Sequence, residues 1–195
     1  LKGRCSQCKA RISARYPVVE IANSLLWAYC IHRWGLGATG LAWCFFASVL
    51  LTAALIDWDT TLLPDDLTLP LLWAGLLASA MGWIDVPLKD SLFGAAIGYL
   101  ALWLIYWAFK LLTGKEGMGY GDFKLLAALG AWFGWQALIP IALFSSVVGA
   151  VIGIAMKIFS NLREGGYIPF GPFLAGAGFL VMWFGTGIVD RLLQP

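Results

Sequence analysis

The chain has 195 residues, of which 61% are hydrophobic and 12% are charged, and its formal net charge is +2. Soluble domains contain about 45–50% apolar and about 25% charged residues, so the composition excludes an ordinary water-soluble domain. It shows no basic footprint of nucleic-acid binding, so no nucleic-acid partner is expected. Apolar stretches such as 37–56 approach the roughly 20 residues needed to cross a bilayer. The sequence therefore predicts an all-α, polytopic transmembrane helical bundle in contact with the lipid bilayer.

The first sixteen residues differ from the rest of the chain. They carry five of the thirteen Lys and Arg residues, no acid, and a Cys-x-x-Cys pair formed by Cys5 and Cys8. The chain begins with Leu rather than Met, inside this basic segment. We interpret residues 1–16 as the remnant of a cytoplasmic, cysteine-containing domain of which an N-terminal part is missing. Residues 17–195 are then the membrane domain.

About seven membrane spans are predicted along this domain. The stretch 57–66 holds four acids and Pro64, and it predicts a loop or broken helix at the membrane face. A tight turn near Pro140 is expected to separate the fifth span from the sixth. Three G-x-x-x-G pairs, which begin at Gly94, Gly130 and Gly149, predict close helix packing. The predicted spans are 17–34, 38–56, 67–83, 91–112, 122–137, 139–159 and 170–189.

Lysine and arginine are distributed unequally between the two ends of the predicted spans. With the N-terminal segment inside and seven alternating spans, ten of the thirteen fall on or next to the inner face. Arg33, Lys89 and Arg191 fall outside. Because cytoplasmic loops carry an excess of basic residues, the count favours this orientation. The loop after the second span and the loop before the fifth then share the cytoplasmic side, and so do Asp57 and Asp122.

The segment GMGYGDFK, residues 117–124, places Asp122 between flexible glycines and an apolar helical run. Alternate glycines oppose helix formation, while helix-forming residues resume at Phe123. Asp122 is therefore expected at or near a helix start, where the helix dipole favours an anion. The position also suits a simple N-cap at a membrane boundary. A second acid in a similar setting, Asp57, makes a shared site possible.

Two carboxylates at one site do not both ionise easily, so one keeps a proton while the other is an anion. This is the arrangement of an aspartic protease, in which the anion activates a water and the neutral acid polarises the scissile carbonyl. The single histidine, His32, is expected near the opposite membrane face beside Arg33, which disfavours a Ser–His or Cys–His site. Asp57 is chosen because it directly follows an apolar run, and spacing alone leaves Asp59 as the nearest alternative.

Several motifs together resemble the type IV prepilin peptidases, integral-membrane aspartic proteases of the G-x-G-D class. G-x-G-D by itself is a weak signal, whereas the whole set follows the family's order over nearly the entire chain. The set consists of LKGRC at 1–5 with Cys8, IS at 12–13, YPVVE at 16–20, LIDWD at 55–59, LLPD at 62–65, TLPLL at 68–72, GMGYGDFK at 117–124 and IPFGPFL at 168–174.

By this resemblance, Asp57 matches the first catalytic aspartate, Asp122 matches the second, and 17–195 is a transmembrane aspartic protease domain. The family cuts the leader from type IV prepilins and from the pseudopilins of type II secretion, at the cytoplasmic face of the bacterial inner membrane. The resemblance therefore implies these substrates, this location, and proteolysis without a cofactor.

Many members of the family also methylate the new N-terminus, with S-adenosylmethionine as the donor. Gly3 matches a position linked to that activity, and Cys5 with Cys8 matches half of a structural zinc site. A structural zinc ion normally needs four ligands, and in relatives with two such pairs the first pair lies further upstream. Methyl transfer and zinc binding are thus expected of the complete protein.

Two other functions are compatible with paired acids in a membrane protein. A proton-coupled transporter could use them as a proton relay, but inverted repeats with broken helices would be expected and none is visible. A structural scaffold of the pilus or secretion machinery would use the acids only as helix caps. The family resemblance favours the protease.

Overall fold

The computed structural model describes residues 3, 7, 8, 10–115, 117–158 and 169–185. These residues form seven α-helices and no β-strand, and a short 3-10 helix, Trp135–Ala137, leads into the sixth α-helix. The prediction of an all-α protein is confirmed, and the helices follow the order of the predicted spans. The helices are α1 Arg15–Trp34, α2 Ala38–Thr60, α3 Asp65–Ala80, α4 Leu88–Thr113, α5 Tyr120–Phe133, α6 Leu138–Ile158 and α7 Gly171–Phe184.

Three helical stretches are long and apolar enough to cross a membrane, judged by length and composition among the described residues. They are Ala38–Thr60, Leu88–Thr113 and Trp135–Ile158. Helix α5 has 14 residues, which at 1.5 Å per residue extend over about 21 Å. This is less than the roughly 30 Å hydrocarbon core of a bilayer. The prediction of a polytopic membrane protein is confirmed, and α5 lies outside these three spans.

Two boundaries differ from the sequence-based prediction. The expected turn near Pro140 is wrong, because Pro140 lies in the first turn of α6, where its missing N–H costs no hydrogen bond. The chain turns instead at Gly134, which ends α5 with a φ of 81°. Helix α2 also continues to Thr60, because the proline that restricts the backbone comes only at Pro64. Asp57 therefore lies on a helix and not in a loop.

The chain divides into two compact units, Leu1–Ser48 and Val49–Pro195. In the first unit, the Trp27 indole N–H donates to Ser48 Oγ at 2.8 Å, and that hydroxyl donates to Asn23 Oδ1 at 2.9 Å. Cys30 and Cys44 are fully buried and are not disulfide-bonded. These two cysteines therefore act as packing residues.

The second unit is built around α5, which contacts α3, α4 and α7. All of its residues from Phe123 to Phe133 are buried except Lys124. The Trp132 indole N–H donates to the Leu71 carbonyl of α3 at 2.8 Å, and Ser91 Oγ of α4 donates to the Ala131 carbonyl. A helix buried on all sides carries apolar residues around its whole circumference, as α5 does.

Glycines bring α4 and α5 into backbone contact. A Cβ atom added to Gly94 would collide with the Gly130 carbonyl oxygen, and one added to Gly98 would lie 2.7 Å from the Leu126 carbonyl oxygen. Apolar burial gives little preference for helix association inside lipid, so small residues that permit close van der Waals packing have a large effect. Two of the predicted G-x-x-x-G pairs therefore have a packing role, since their first glycines face each other.

Replacing Gly94 with Ala is expected to lower the free energy of unfolding in detergent by about 1–3 kcal/mol, as is usual for overpacking in a tight core. The added methyl group would meet backbone, which cannot move aside by a rotamer change. Denaturant or thermal unfolding of the purified protein measures the change. The matched control is Gly176→Ala in α7, where a Cβ has no described atom within 4 Å. Equal stability of the two variants would contradict the packing role.

Candidate active site

Asp57 lies in the last turn of α2 and is 4% exposed. The helix ends just beyond it, where the Thr61 N–H donates to the Asp57 carbonyl at 2.8 Å. The Asp57 side chain accepts a hydrogen bond at Oδ2 from the backbone N–H of Gly171, the first residue of α7, at 2.8 Å. The end of one helix and the start of another thus fix this carboxylate.

Asp122 lies in the first turn of α5, as the sequence predicts, and is 6% exposed. Gly119 is extended and caps the helix, and the Asp122 N–H donates to the Gly119 carbonyl at 3.3 Å. Gly121 allows this turn to press against the α2–α3 loop, because a Cβ added there would lie 2.5 Å from Leu63 Cβ. The spacing of the glycines in GMGYGDFK therefore serves two purposes: a cap and a close approach.

A single cavity of about 520 Å³ is lined by both acids. Its wall combines the end of α2, the α2–α3 loop, the start of α5 with the segment before it, and the residues that precede α7. At its edge, Lys124 Nζ and Asp65 Oδ1 form an ion pair at 2.5 Å. The lining residues are Asp57, Thr61, Leu62, Leu63, Asp65, Gly117, Met118, Gly119, Tyr120, Gly121, Asp122, Lys124, Pro169 and Phe170.

The two acids influence each other electrostatically. Burial first, and then the negative charge of Asp57, raise the pKa of Asp122 to about 7, while a backbone hydrogen bond from Gly119 acts more weakly in the opposite direction. A carboxyl group in such a setting can hold a proton at neutral pH and release it during a reaction. The site therefore contains a group suited to acid–base chemistry.

The other acids near Asp57 occupy different positions. Asp59 is exposed and does not belong to the cavity lining, whereas Asp65 and Asp66 lie in the first turn of α3. Asp65 is engaged by Lys124. Among the acids at 57–66, the geometry thus places Asp57, and not Asp59, in the wall that Asp122 shares. The catalytic role of these two acids remains a prediction, which is taken up below.

Gly171 belongs to the IPFGPFL motif at 168–174, but the sequence alone indicates no separate role for it. A Cβ atom at Gly171 would lie 2.6 Å from Asp57 Oδ2 and 3.0 Å from Leu63 Cδ1. The available signal was the Gly-Pro pair itself, since Pro is favoured in the first turn of a helix and Gly permits close approach. The ion pair between Lys124 and Asp65 was also missed, because the two lie 59 positions apart.

The N-terminal residues expected to bind zinc or to serve methyl transfer do not form a site among the described residues. Cys8 is exposed and is a free thiol, while Cys5 lies outside the described residues. No group of three or more potential ligands was found in the described part of the chain. Gly3 is exposed, and its carbonyl accepts the Ile12 N–H at 2.8 Å. The described residues alone therefore do not fit a four-ligand zinc site.

Comparison with known proteins identifies the family. A family model described as the type IV leader peptidase family matches residues 44–154, more than half of the chain. The chain belongs to this family. A second model, described as the bacterial peptidase A24 N-terminal domain, matches residues 1–34. The resemblance drawn from the motifs is therefore confirmed.

Curated relatives match the entire chain. A prepilin leader peptidase/N-methyltransferase of Aeromonas salmonicida is 55% identical over 199 residues, and the match covers 100% of this chain and 66% of the relative. Proteins of the same name from Stutzerimonas stutzeri and Pseudomonas aeruginosa are each 52% identical over 194 residues, with 100% of this chain and 67% of the relative covered. No solved structure matches the chain. The chain thus spans about two thirds of the length of these relatives.

Asp122 is expected to titrate near pH 7, well above an ordinary aspartate, because it is buried and faces the charge of Asp57. Infrared or carboxyl-¹³C NMR titration, with Asp122→Asn to assign the signal, measures this pKa. In Asp57→Asn the pKa should fall, since the repelling charge is gone, but it should stay above the ordinary value because burial persists. Asp59→Asn is the matched control and should leave it unchanged. An Asp122 that titrates like a solvated aspartate would contradict this account.

Proposed function

We propose that this protein is an aspartic endopeptidase that cleaves the leader from type IV prepilins or pseudopilins. The observation that carries the proposal is the pair Asp57 and Asp122, both buried and both lining one cavity. The family match and the names of the relatives support this reaction and these substrates.

The two carboxylates supply the chemistry without a covalent nucleophile. The ionised acid removes a proton from a water, whose oxygen attacks the scissile carbonyl carbon while the protonated acid polarises the carbonyl oxygen. Collapse of the tetrahedral intermediate breaks the C–N bond. The departing amine accepts the proton that the first acid removed from the water. The cavity volume of about 520 Å³ lies in the range of about 300–1,000 Å³ that is usual for binding sites.

The lining of the cavity fits a precursor that carries an apolar segment next to the cut. Leu62, Leu63, Met118 and Phe170 lie in the same wall as the two acids. Apolar side chains around a few polar groups are typical of sites that orient a substrate. The excess of Lys and Arg on the side predicted to be cytoplasmic supports cleavage at the cytoplasmic face of the inner membrane.

N-methylation of the new terminus is proposed as a second activity. The relatives' printed names include an N-methyltransferase, and the N-terminal domain model matches residues 1–34. S-adenosylmethionine would supply the methyl group, with Gly3 in the region concerned. Cys5 and Cys8 would supply two of the ligands of a structural zinc ion, and residues 1–16 would belong to a cytoplasmic domain that precedes the protease domain at 17–195.

Replacement of either acid tests the protease directly. Asp57→Asn and Asp122→Asn should each lower the rate of leader cleavage by about 10²- to 10⁴-fold, because each removes half of the acid–base pair. Asp59→Asn is the matched control, being two positions from Asp57 but exposed. The assay incubates purified protein with a prepilin, with and without S-adenosylmethionine, and reads the product's N-terminus by mass spectrometry.

The outcomes of this assay separate the proposals. Normal cleavage by either Asn variant would show that the acid concerned is wrongly assigned. Cleavage without methylation in the presence of the donor would remove the second activity from this chain. pH-dependent proton flux into vesicles with no cleaved product would instead support the transporter.

A further inference from the structure

The first turn of α7 leaves one backbone donor for the site. The Phe173 and Leu174 N–H groups both donate to the Phe170 carbonyl, at 3.1 and 3.2 Å, and Pro172 has no N–H. The remaining donor of this turn is the Gly171 N–H, and it points at Asp57 Oδ2. The positive end of the α7 dipole is thereby directed at one carboxylate oxygen.

The contact between Gly171 and Asp57 is possible only because residue 171 has no side chain. An added Cβ would lie 2.6 Å from Oδ2 and 3.1 Å from Cγ of Asp57. These atoms belong to a short side chain held between helices, not to the free end of a flexible one. Any larger residue at position 171 must therefore displace the carboxylate or the start of α7.

Each acid accepts a backbone N–H, Asp57 from Gly171 and Asp122 from Gly119, but only the donor to Asp57 lies within a helix, as its first residue. A backbone N–H at a helix N-terminus favours the ionised form of the carboxylate that it contacts. Asp122 also lies in the first turn of a helix, but burial and the charge of Asp57 outweigh that effect and favour its protonated form. The Gly171 donor and the surroundings of Asp122 thus bias the two acids in opposite directions.

We infer that Gly171 is a positioning residue whose N–H holds Asp57 as the anionic, water-activating member of the pair and leaves Asp122 as the proton carrier. This inference rests on the proposed function and assigns the separate roles within it. Asp57 takes the proton of the attacking water while Asp122 donates its proton toward the carbonyl oxygen. When the C–N bond breaks, Asp57 passes its proton to the departing nitrogen and Asp122 recovers its own from the hydroxyl of the intermediate. One water is consumed, and both acids return to their starting states.

Besides Asp57, ionisable groups of α3 and α5 line the cavity. Helix α7 contains no charged residue from Gly171 to Phe184. Lys124 and Asp65 neutralise each other at the edge of the cavity. The ionisable groups in the cavity lining besides Asp57 are Asp65 of α3 and Tyr120, Asp122 and Lys124 of α5, whereas Asp59 of α2 is exposed and lies outside the lining.

Gly171→Ala tests the inference. It should lower kcat for leader cleavage by about 10- to 100-fold, the usual effect of a hydrogen bond to a charged group, and should change KM by less than about twofold. The acid limb of the pH profile of kcat/KM should move up by about one pH unit, because the anion loses its donor.

Two glycines of the same helix provide matched controls. Gly176→Ala adds a methyl group with no described atom within 4 Å, and Gly178→Ala adds one 2.8 Å from Leu129 Cδ2, away from both acids. Both should keep the wild-type pH profile, even if Gly178→Ala lowers stability. A Gly171→Ala protein with wild-type kcat and pH profile would overturn the inference, as would the same shift of the acid limb in Gly178→Ala.

A titration that does not need Gly171→Ala to fold gives a second test. Asp122 in the Asp57→Asn variant should titrate at a higher pH than Asp57 in the Asp122→Asn variant. The reverse order would overturn the assignment of roles. This order is read without substrate, so it is measured separately from the proposed function, which fails if the wild-type protein does not cleave prepilin.

Discussion

The closeness of two buried carboxylates is the constraint on which the rest of the site depends. Asp57 and Asp122 are 65 positions apart in the chain and lie on different helices. Like charges in a buried site repel each other, so bringing them together is costly. The structure limits this cost in two ways: the pKa of Asp122 is raised to about 7, and a helix N-terminus is directed at Asp57. Glycines make both arrangements possible, since Gly121 lets α5 start against Leu63 and Gly171 brings its N–H to Asp57.

The packing of α5 gives this arrangement its rigidity. The helix is too short to be one of the long apolar spans, yet it is buried along nearly its whole length between α3, α4 and α7. Its Trp132 is anchored to the Leu71 carbonyl of α3, and its backbone meets that of α4 at Gly94. The position of Asp122 is therefore set by a helix with little freedom to move, which suits a group that must keep its place during catalysis.

The sequence predicted the features that depend on local chemistry. Apolar runs gave the number and order of the helices, and the glycines around Asp122 gave a helix start. The junction after α5 was misplaced because Pro140 is as acceptable inside a first helical turn as in a loop, while the decisive residue was Gly134. Contacts such as Gly171 with Asp57, which lie 114 positions apart, depend on packing between helices and could not be found by spacing.

The central claim is that Asp57 and Asp122 act together on one scissile bond. Its most direct test is the binding of a prepilin-derived peptide in which that bond is replaced by a hydroxyl-bearing tetrahedral isostere. Since such mimics bind about 10²-fold or more tightly than the substrate, the wild-type protein should bind it far more tightly than the uncut peptide. The account predicts that either Asp→Asn change abolishes this difference. Equal preference for the isostere in the wild type and both variants would contradict it.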